Sequence, residues 1–176
     1  EVYPTLKYGR GILAMANSGP NTNGSQFFIV YGDGSGLSPD YTAFGTIDEP
    51  SLKLIDKVAE AASLIRAAKN PILLVGHGVH TSRCCAAVKE LAELMTCPVI
   101  QTSGGTSFIP GLEERTFPYG FSEASIEAVI ESDLCLALGT ELGEPSHYGR
   151  WRHWLENEAN RKWIYVQQDP TAIGVN

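Results

Sequence analysis

The sequence predicts an α/β fold: a Rossmann-like doubly wound parallel sheet over residues from about 61 to 176, preceded by a short antiparallel β segment in residues 1 to about 60. Three observations predict it. The stretch Asn70-Pro-Ile-Leu-Leu-Val-Gly-His-Gly-Val carries a four-residue apolar run, 72–75, that breaks at Gly76 and Gly78 ahead of a helical pattern. Such a run reads as a buried parallel strand ending in a glycine turn. Four runs of this kind, 72–75, 99–102, 134–138 and 163–166, alternate with helical patterns, which implies crossover connections and helices on both faces of one sheet. Before about residue 60 the runs are short and are separated by Gly, Pro and Asn clusters, the mark of antiparallel strands joined by turns.

In chain order, 11–16 (Gly-Ile-Leu-Ala-Met-Ala), 26–31 (Gln-Phe-Phe-Ile-Val-Tyr) and 43–47 are the three strands of the first part. The loop between the first two, 17–24, is too long for a tight hairpin, and its Asn and Gly residues can take left-handed angles and bond their own backbone. A helix of about 19 residues follows, with start signals in 48–51, a stop at Pro71 and an apolar stripe of Leu54, Ile55, Val58, Ala61, Ala62 and Ile65. No linker interrupts it. Between the parallel strands, Val88, Leu91, Ala92 and Met95 form one helical stripe, and Ile126, Val129 and Ile130 another after a Ser122 cap.

Composition narrows the function classes. At 176 residues and 43% apolar content the chain is long enough for a real core. A formal net charge of −7, with Lys and Arg scattered, argues against nucleic acid as a partner. No run approaches the roughly 20 apolar residues needed to cross a bilayer, and the N-terminus has no secretory pattern, so a cytoplasmic location and no membrane partner are expected. Cys84, Cys85, Cys97 and Cys135 lack paired CxxC spacing and read as reduced thiols, with no metal site expected.

The run Ala14-Met-Ala-Asn-Ser-Gly-Pro-Asn-Thr-Asn-Gly-Ser-Gln-Phe-Phe-Ile29, followed by Phe44-Gly45, closely resembles the second half of a cyclophilin-type peptidyl-prolyl cis/trans isomerase. The resemblance implies peptide-backbone contacts at Ala16, Asn17 and Gln26, a share of the proline pocket at Phe28 and Leu37, and a rim position at Tyr41, where many members have a His. An X-Pro bond isomerises over a barrier of about 18–20 kcal/mol that falls when the amide loses resonance. In the family an arginine assists that twist from a strand upstream of the matched segment. Arg10 does not occupy its place, and a segment of this length cannot close the family's eight-stranded barrel. Its open edges must therefore pair with something.

From about residue 61 the order of motifs changes allegiance. Leu64-Ile-Arg-Ala-Ala-Lys-Asn-Pro, Gly76-His-Gly-Val, Leu91-Ala-Glu-Leu-Met-Thr-Cys-Pro-Val, Asp133-Leu-Cys-Leu-Ala-Leu-Gly-Thr and Asp169-Pro-Thr-Ala-Ile-Gly-Val-Asn resemble the central domain of thiamine-diphosphate-dependent enzymes of the acetolactate synthase type. That resemblance implies a domain flanked by two cofactor-binding domains and, in some members, holding FAD or ADP. Within these 176 residues neither flanking domain has a counterpart, so thiamine diphosphate is not expected to bind. Gly32-Asp33-Gly34 copies the opening of the family's metal and diphosphate motif but lies in the cyclophilin-like stretch, and reads as a turn.

The expectation is thus a chimera of a truncated cyclophilin-like segment, 1–60, and a central domain, 61–176, without a complete active site and with no resident cofactor. Two alternatives stand beside it. One is residual prolyl isomerisation or proline-peptide binding by the first segment, and the other an ADP or FAD module. For the latter, Gly76, Gly78, Gly104 and Gly105 are the candidates, on backbone N–H groups expected to be unpaired at helix N-termini. NAD is disfavoured because Thr81 stands where the dinucleotide fingerprint wants a third glycine. His77, His80 and Cys84 have metal-compatible spacing but read as a chance cluster. His147 with 150–154 (Arg-Trp-Arg-His-Trp) reads as tryptophans over the sheet end and solvated arginines, with anion or ring binding as the alternative. A homodimer by strand exchange would satisfy the open edges.

Overall fold

The computed structural model describes residues 7–102, 109–120, 122–143 and 150–167. The chain divides into two compact units, Glu1–Ala62 and Ser63–Asn176.

In the first unit, β1 (Ile12–Met15) lies between β2 (Phe27–Ile29) and β3 (Ala43–Thr46) in an antiparallel sheet of order β2-β1-β3. Alternation along the strands sorts the side chains onto two faces. Ala14 and Val30 pack with Tyr8 in a small core completed by Ile12, Phe28, Tyr41 and Ala43. On the other face Phe27 and Phe44 meet edge to face at 6.1 Å, yet they are 57% and 55% exposed. A three-stranded sheet is too small to cover both of its own apolar faces, and this one leaves Phe27 and Phe44 exposed.

The predicted helix exists with the predicted length: α1 runs from Glu49 to Ala67, 19 residues. Asp48 starts it by accepting from the Ser51 amide at 3.1 Å. Its stripe is a correction. Leu52 is the residue buried, against Gly11, and Ile65 packs on the core of the second unit, whereas Leu54 and Val58 are 67% and 63% exposed. An apolar stripe marks a face able to be buried, and burial needs a surface opposite it.

In the second unit, β4 (Pro71–Val75), β5 (Val99–Gln101), β6 (Thr116–Pro118), β7 (Leu134–Leu138) and β8 (Lys162–Val166) form a wholly parallel sheet of order β6-β5-β4-β7-β8. The order reverses between β4 and β7, as in a doubly wound fold. Leu73 and Val75 point to one face, where α3 (Cys85–Met95) supplies Val88 and Ala92. Ile72 and Leu74 point to the other, with Val129 of α4 (Glu123–Glu131) and Trp154 of α5 (Arg152–Leu155). Ser122 caps α4 as expected, accepting from the Ser125 amide at 3.1 Å. β6 is not legible in the sequence. It has three residues, ends in Pro118 and lies at the sheet edge, where a missing N–H costs no ladder bond. α2 (His77–Thr81) is a short separate helix: Arg83 takes a left-handed φ of 56° before α3 begins.

Cys97 and Cys135 are buried free thiols. Burial pushes the Cys97 thiol up from 9.0 to about 11, and burial raises that of Cys135 as well. A thiol whose folded value exceeds its unfolded one keeps its full contribution below the unfolded value and loses it as pH rises through the folded one. The second unit should therefore lose about 2–3 kcal/mol through Cys97 between pH 9 and 11. Guanidinium unfolding followed by tryptophan fluorescence checks this, since Trp151, Trp154 and Trp163 all lie in this unit. An identical alkaline loss in Cys97→Ala would refute it.

Candidate functional site

In the β segment the structure gathers part of the expected peptide site. The Ala16 amide donates to the Gln26 carbonyl at 2.9 Å, which closes the end of the β1–β2 ladder. With the loop between them, Ala16, Asn17 and Gln26 line a pocket of about 350 Å³. Asn17 and Tyr41 line a neighbouring one of about 530 Å³ together with Pro20 and Asp40. Asn17 holds the loop: its Nδ2 donates to the Asp40 carbonyl at 3.0 Å and its Oδ1 accepts from the Gly19 amide at 3.2 Å. Phe28 and Tyr41 pack edge to face at 5.1 Å. Leu37 does not line either pocket; it is exposed, its amide donating to the Gly34 carbonyl at 3.0 Å.

Tyr8 is a residue that sequence reasoning did not single out. Its hydroxyl accepts from the Tyr41 amide at 3.0 Å and donates to the Tyr41 carbonyl, fixing the rim residue through its backbone. Arg10 is committed elsewhere: it donates to the Tyr31 carbonyl and pairs with Asp56 at 2.6 Å. The Gly32-Asp33-Gly34 stretch is a turn. The Asp33 carboxylate accepts from the Ser35 amide and hydroxyl, both at 2.9 Å, and these bonds hold it below its usual value.

At the switch between β4 and β7 the candidate glycines meet another backbone. The Gly76 amide donates to the Leu138 carbonyl and the Gly78 amide to the Gly139 carbonyl, both at 2.9 Å. The expectation of unpaired donors at these two positions is therefore corrected: the two strand-end turns satisfy each other. A Cβ on Gly76 would stand 2.3 Å from the Gly139 oxygen and 2.7 Å from the Thr140 Cα, and one on Gly78 2.8 Å from the Gly139 Cα. Gly139, with φ +58, completes the contact. Nothing in the sequence ties Gly139 to Gly76, which lie 63 positions apart. Beside this contact a cleft of about 410 Å³ remains, lined by Val79, Ser82, Leu138, Val166 and Gln167 among others. Gly104 and Gly105 lie outside the described residues, as does His147.

The basic-aromatic stretch is divided between interior and surface, with Arg150 and Arg152 exposed. His153 and Trp154 are buried, Trp154 stacks on Tyr119 at 5.4 Å, and burial pulls the His153 imidazole below its usual value. Arg152 is exposed and pairs with Glu156. Nearby, the buried Arg161 donates to Ser132 Oγ, the Trp154 carbonyl and the Val129 carbonyl at 2.6–2.7 Å. His80 meets Cys85, at 3.4 Å, rather than Cys84. The break at 82–84 replaces the continuous helical turn on which the sequence spacing rested. Among the described residues no three His, Cys, Asp or Glu side chains converge as metal ligands. Nor is any helix long and apolar enough to cross a membrane.

Comparison with known proteins divides the chain in the same way. Residues 58–176 match the model of the thiamine pyrophosphate enzyme central domain, and residues 1–75 that of the cyclophilin-type peptidyl-prolyl cis-trans isomerase. Both models match 58–75, so the join has no linker sequence of its own. The probable peptidyl-prolyl cis-trans isomerase B of Mycobacterium leprae is 66% identical over 61 residues, covering 32% of this chain and 20% of that protein. The acetolactate synthase of Mycobacterium bovis is 34% identical over 124 residues, covering 68% of this chain and 19% of that protein. The chain thus spans about a fifth of the length of either relative. A solved structure described as a thiamin diphosphate-dependent enzyme from Mycobacterium smegmatis superposes with a TM-score of 0.53 at 21% identity, over 81% of this chain and 27% of that one. At that identity the likeness speaks for the fold alone.

Proposed function

The chain belongs to the thiamine pyrophosphate enzyme central-domain family, with a cyclophilin-type segment fused ahead of that domain, and from this membership we propose that it is a scaffold without a complete active site. The observation that carries the reading is the closed switch point. The Gly76 and Gly78 amides, which would face a phosphate, donate to backbone carbonyls instead, so these two glycines do not fit a nucleotide phosphate. Thiamine diphosphate chemistry would need residues from flanking domains. The cyclophilin-type segment adds half of a peptide groove and no arginine at the family's position. A cytoplasmic location belongs to the same reading.

A second reading, weak binding of a proline-containing peptide, is favoured by one observation: Ala16, Asn17 and Gln26 line one pocket, and Asn17 and Tyr41 the next. One set of titrations separates the readings. Calorimetry of the full chain with ADP, FAD and magnesium thiamine diphosphate should be flat. Saturable heat with ADP or FAD would replace the scaffold by a nucleotide module seated in the 410 Å³ cleft. Exchange NMR on an Ala-Pro peptide should show no line broadening that depends on the protein, and broadening lost in Asn17→Ala would establish the second reading. The bare sheet face at Phe27 and Phe44 supports pairing of two copies by strand exchange; a monomeric mass in solution would remove that partner.

A further inference from the structure

We propose that Cys85 is a modification site, a thiol set beside the His80 imidazole at the start of α3 for exchange with a low-molecular-weight disulfide. This does not depend on the scaffold reading. His80 Nδ1 lies 3.4 Å from Cys85 Sγ. The contact arises because α2 ends at Thr81 and Arg83 takes a left-handed φ of 56°, so that α3 begins with Cys85 turned toward the ring. His80 Nε2 is enclosed and has no hydrogen-bond partner. Among the described residues the ring's hydrogen-bonding contact is with the sulfur, through Nδ1. α3 has 11 residues and no side chain capping its N-terminus, so a sulfur that becomes negative there faces the positive end of the helix.

Its neighbour provides the internal control. Cys84 is the more exposed of the two, but its Sγ engages the Ser82 carbonyl at 3.3 Å. Exposure alone would direct a reagent to Cys84; the imidazole directs it to Cys85. In the exchange the Cys85 proton passes to His80 Nδ1 and the sulfur attacks one sulfur of the reagent. The reagent S–S bond breaks as a new S–S bond forms to Cys85. The departing thiolate recovers the proton, so Cys85 is oxidised and one half of the reagent reduced.

The test uses the full chain with one equivalent of oxidised glutathione at pH 7, read by intact mass and fragment-ion mapping, alongside Cys84→Ser, Cys85→Ser and His80→Gln. Cys85 should take the label about tenfold faster than Cys84, and the fast phase should persist in Cys84→Ser and vanish in Cys85→Ser. His80→Gln should slow Cys85 labelling by about tenfold, since an amide cannot take up the thiol proton. Labelling of Cys84 ahead of Cys85, or an unchanged Cys85 rate in His80→Gln, would overturn the proposal. Buried Cys97 and Cys135 report folding: if they react in His80→Gln, that variant has opened, and the competition in the unsubstituted chain and Cys84→Ser decides alone.

Discussion

Gly76→Ala is expected to destabilise the α/β unit by about 3 kcal/mol, the upper end of what overpacking a core costs. The reason is not the conformation of residue 76, whose φ of −111 and ψ of −175 suit any amino acid. The reason is contact. The added methyl would stand 2.3 Å from the Gly139 oxygen, 2.6 Å from the Thr140 Cβ and 2.7 Å from the Thr140 Cα, and backbone atoms cannot swing aside as a long side chain does. Relief requires the β7 turn to retreat, which would break the bonds from the Gly76 amide to the Leu138 carbonyl and from the Gly78 amide to the Gly139 carbonyl. Urea unfolding read by tryptophan fluorescence measures it. A midpoint within error of the unsubstituted chain would mean that the two turns are not held as close as described.

Arg161→Met should cost about 2–3 kcal/mol in the same assay. Arg161 is 5% exposed and donates three hydrogen bonds to neutral acceptors: Ser132 Oγ at the end of α4, the Val129 carbonyl within α4 and the Trp154 carbonyl of α5. Its guanidinium also lies 5.3 Å from the centre of the Trp154 ring. Burial disfavours its charge, and the three acceptors offset that cost. Methionine fills most of the volume but donates nothing, leaving the buried Trp154 carbonyl without the guanidinium at about 1–3 kcal/mol, while the Val129 carbonyl keeps the Ser132 amide and hydroxyl. Arg161→Lys should recover less than half, because one ammonium cannot reproduce the planar fork. A loss below about 1 kcal/mol in Arg161→Met would show that water replaces the guanidinium and that the residue is not a clamp.

Much of this architecture is legible in the sequence. Runs 72–75 and 134–138 are continuous and β-branched or leucine-rich because both faces of a parallel strand are buried, and they became β4 and β7 with shifts of at most one residue. The turn-rich strands of the first part, the uninterrupted helix across the join and the Ser122 cap followed from equally local chemistry. The chimera was legible for a different reason: each half carries motifs long enough to be specific on their own, and both family matches bear that out. What local chemistry could not supply was pairing between positions distant in the chain. β6 is too short to declare itself. The stripe at Leu54 and Val58 looked buried because a helical period says nothing about what stands opposite it.

The candidate sites divide along the same line. The sequence by itself determined which residues form the strands and the joining helix, since neighbouring residues set backbone preference and alternation, and the resemblance picked out Ala16, Asn17 and Gln26, which line one pocket. The tertiary structure alone decided that the Gly76 and Gly78 amides are spent on Leu138 and Gly139 and that His80 faces Cys85 rather than Cys84. It also decided that Arg161, an ordinary surface residue by composition, is enclosed. Each of those outcomes depends on where one turn or helix end comes to rest against another, and a few ångströms there decide whether a donor is free, a glycine is obligatory or a thiol has a base beside it.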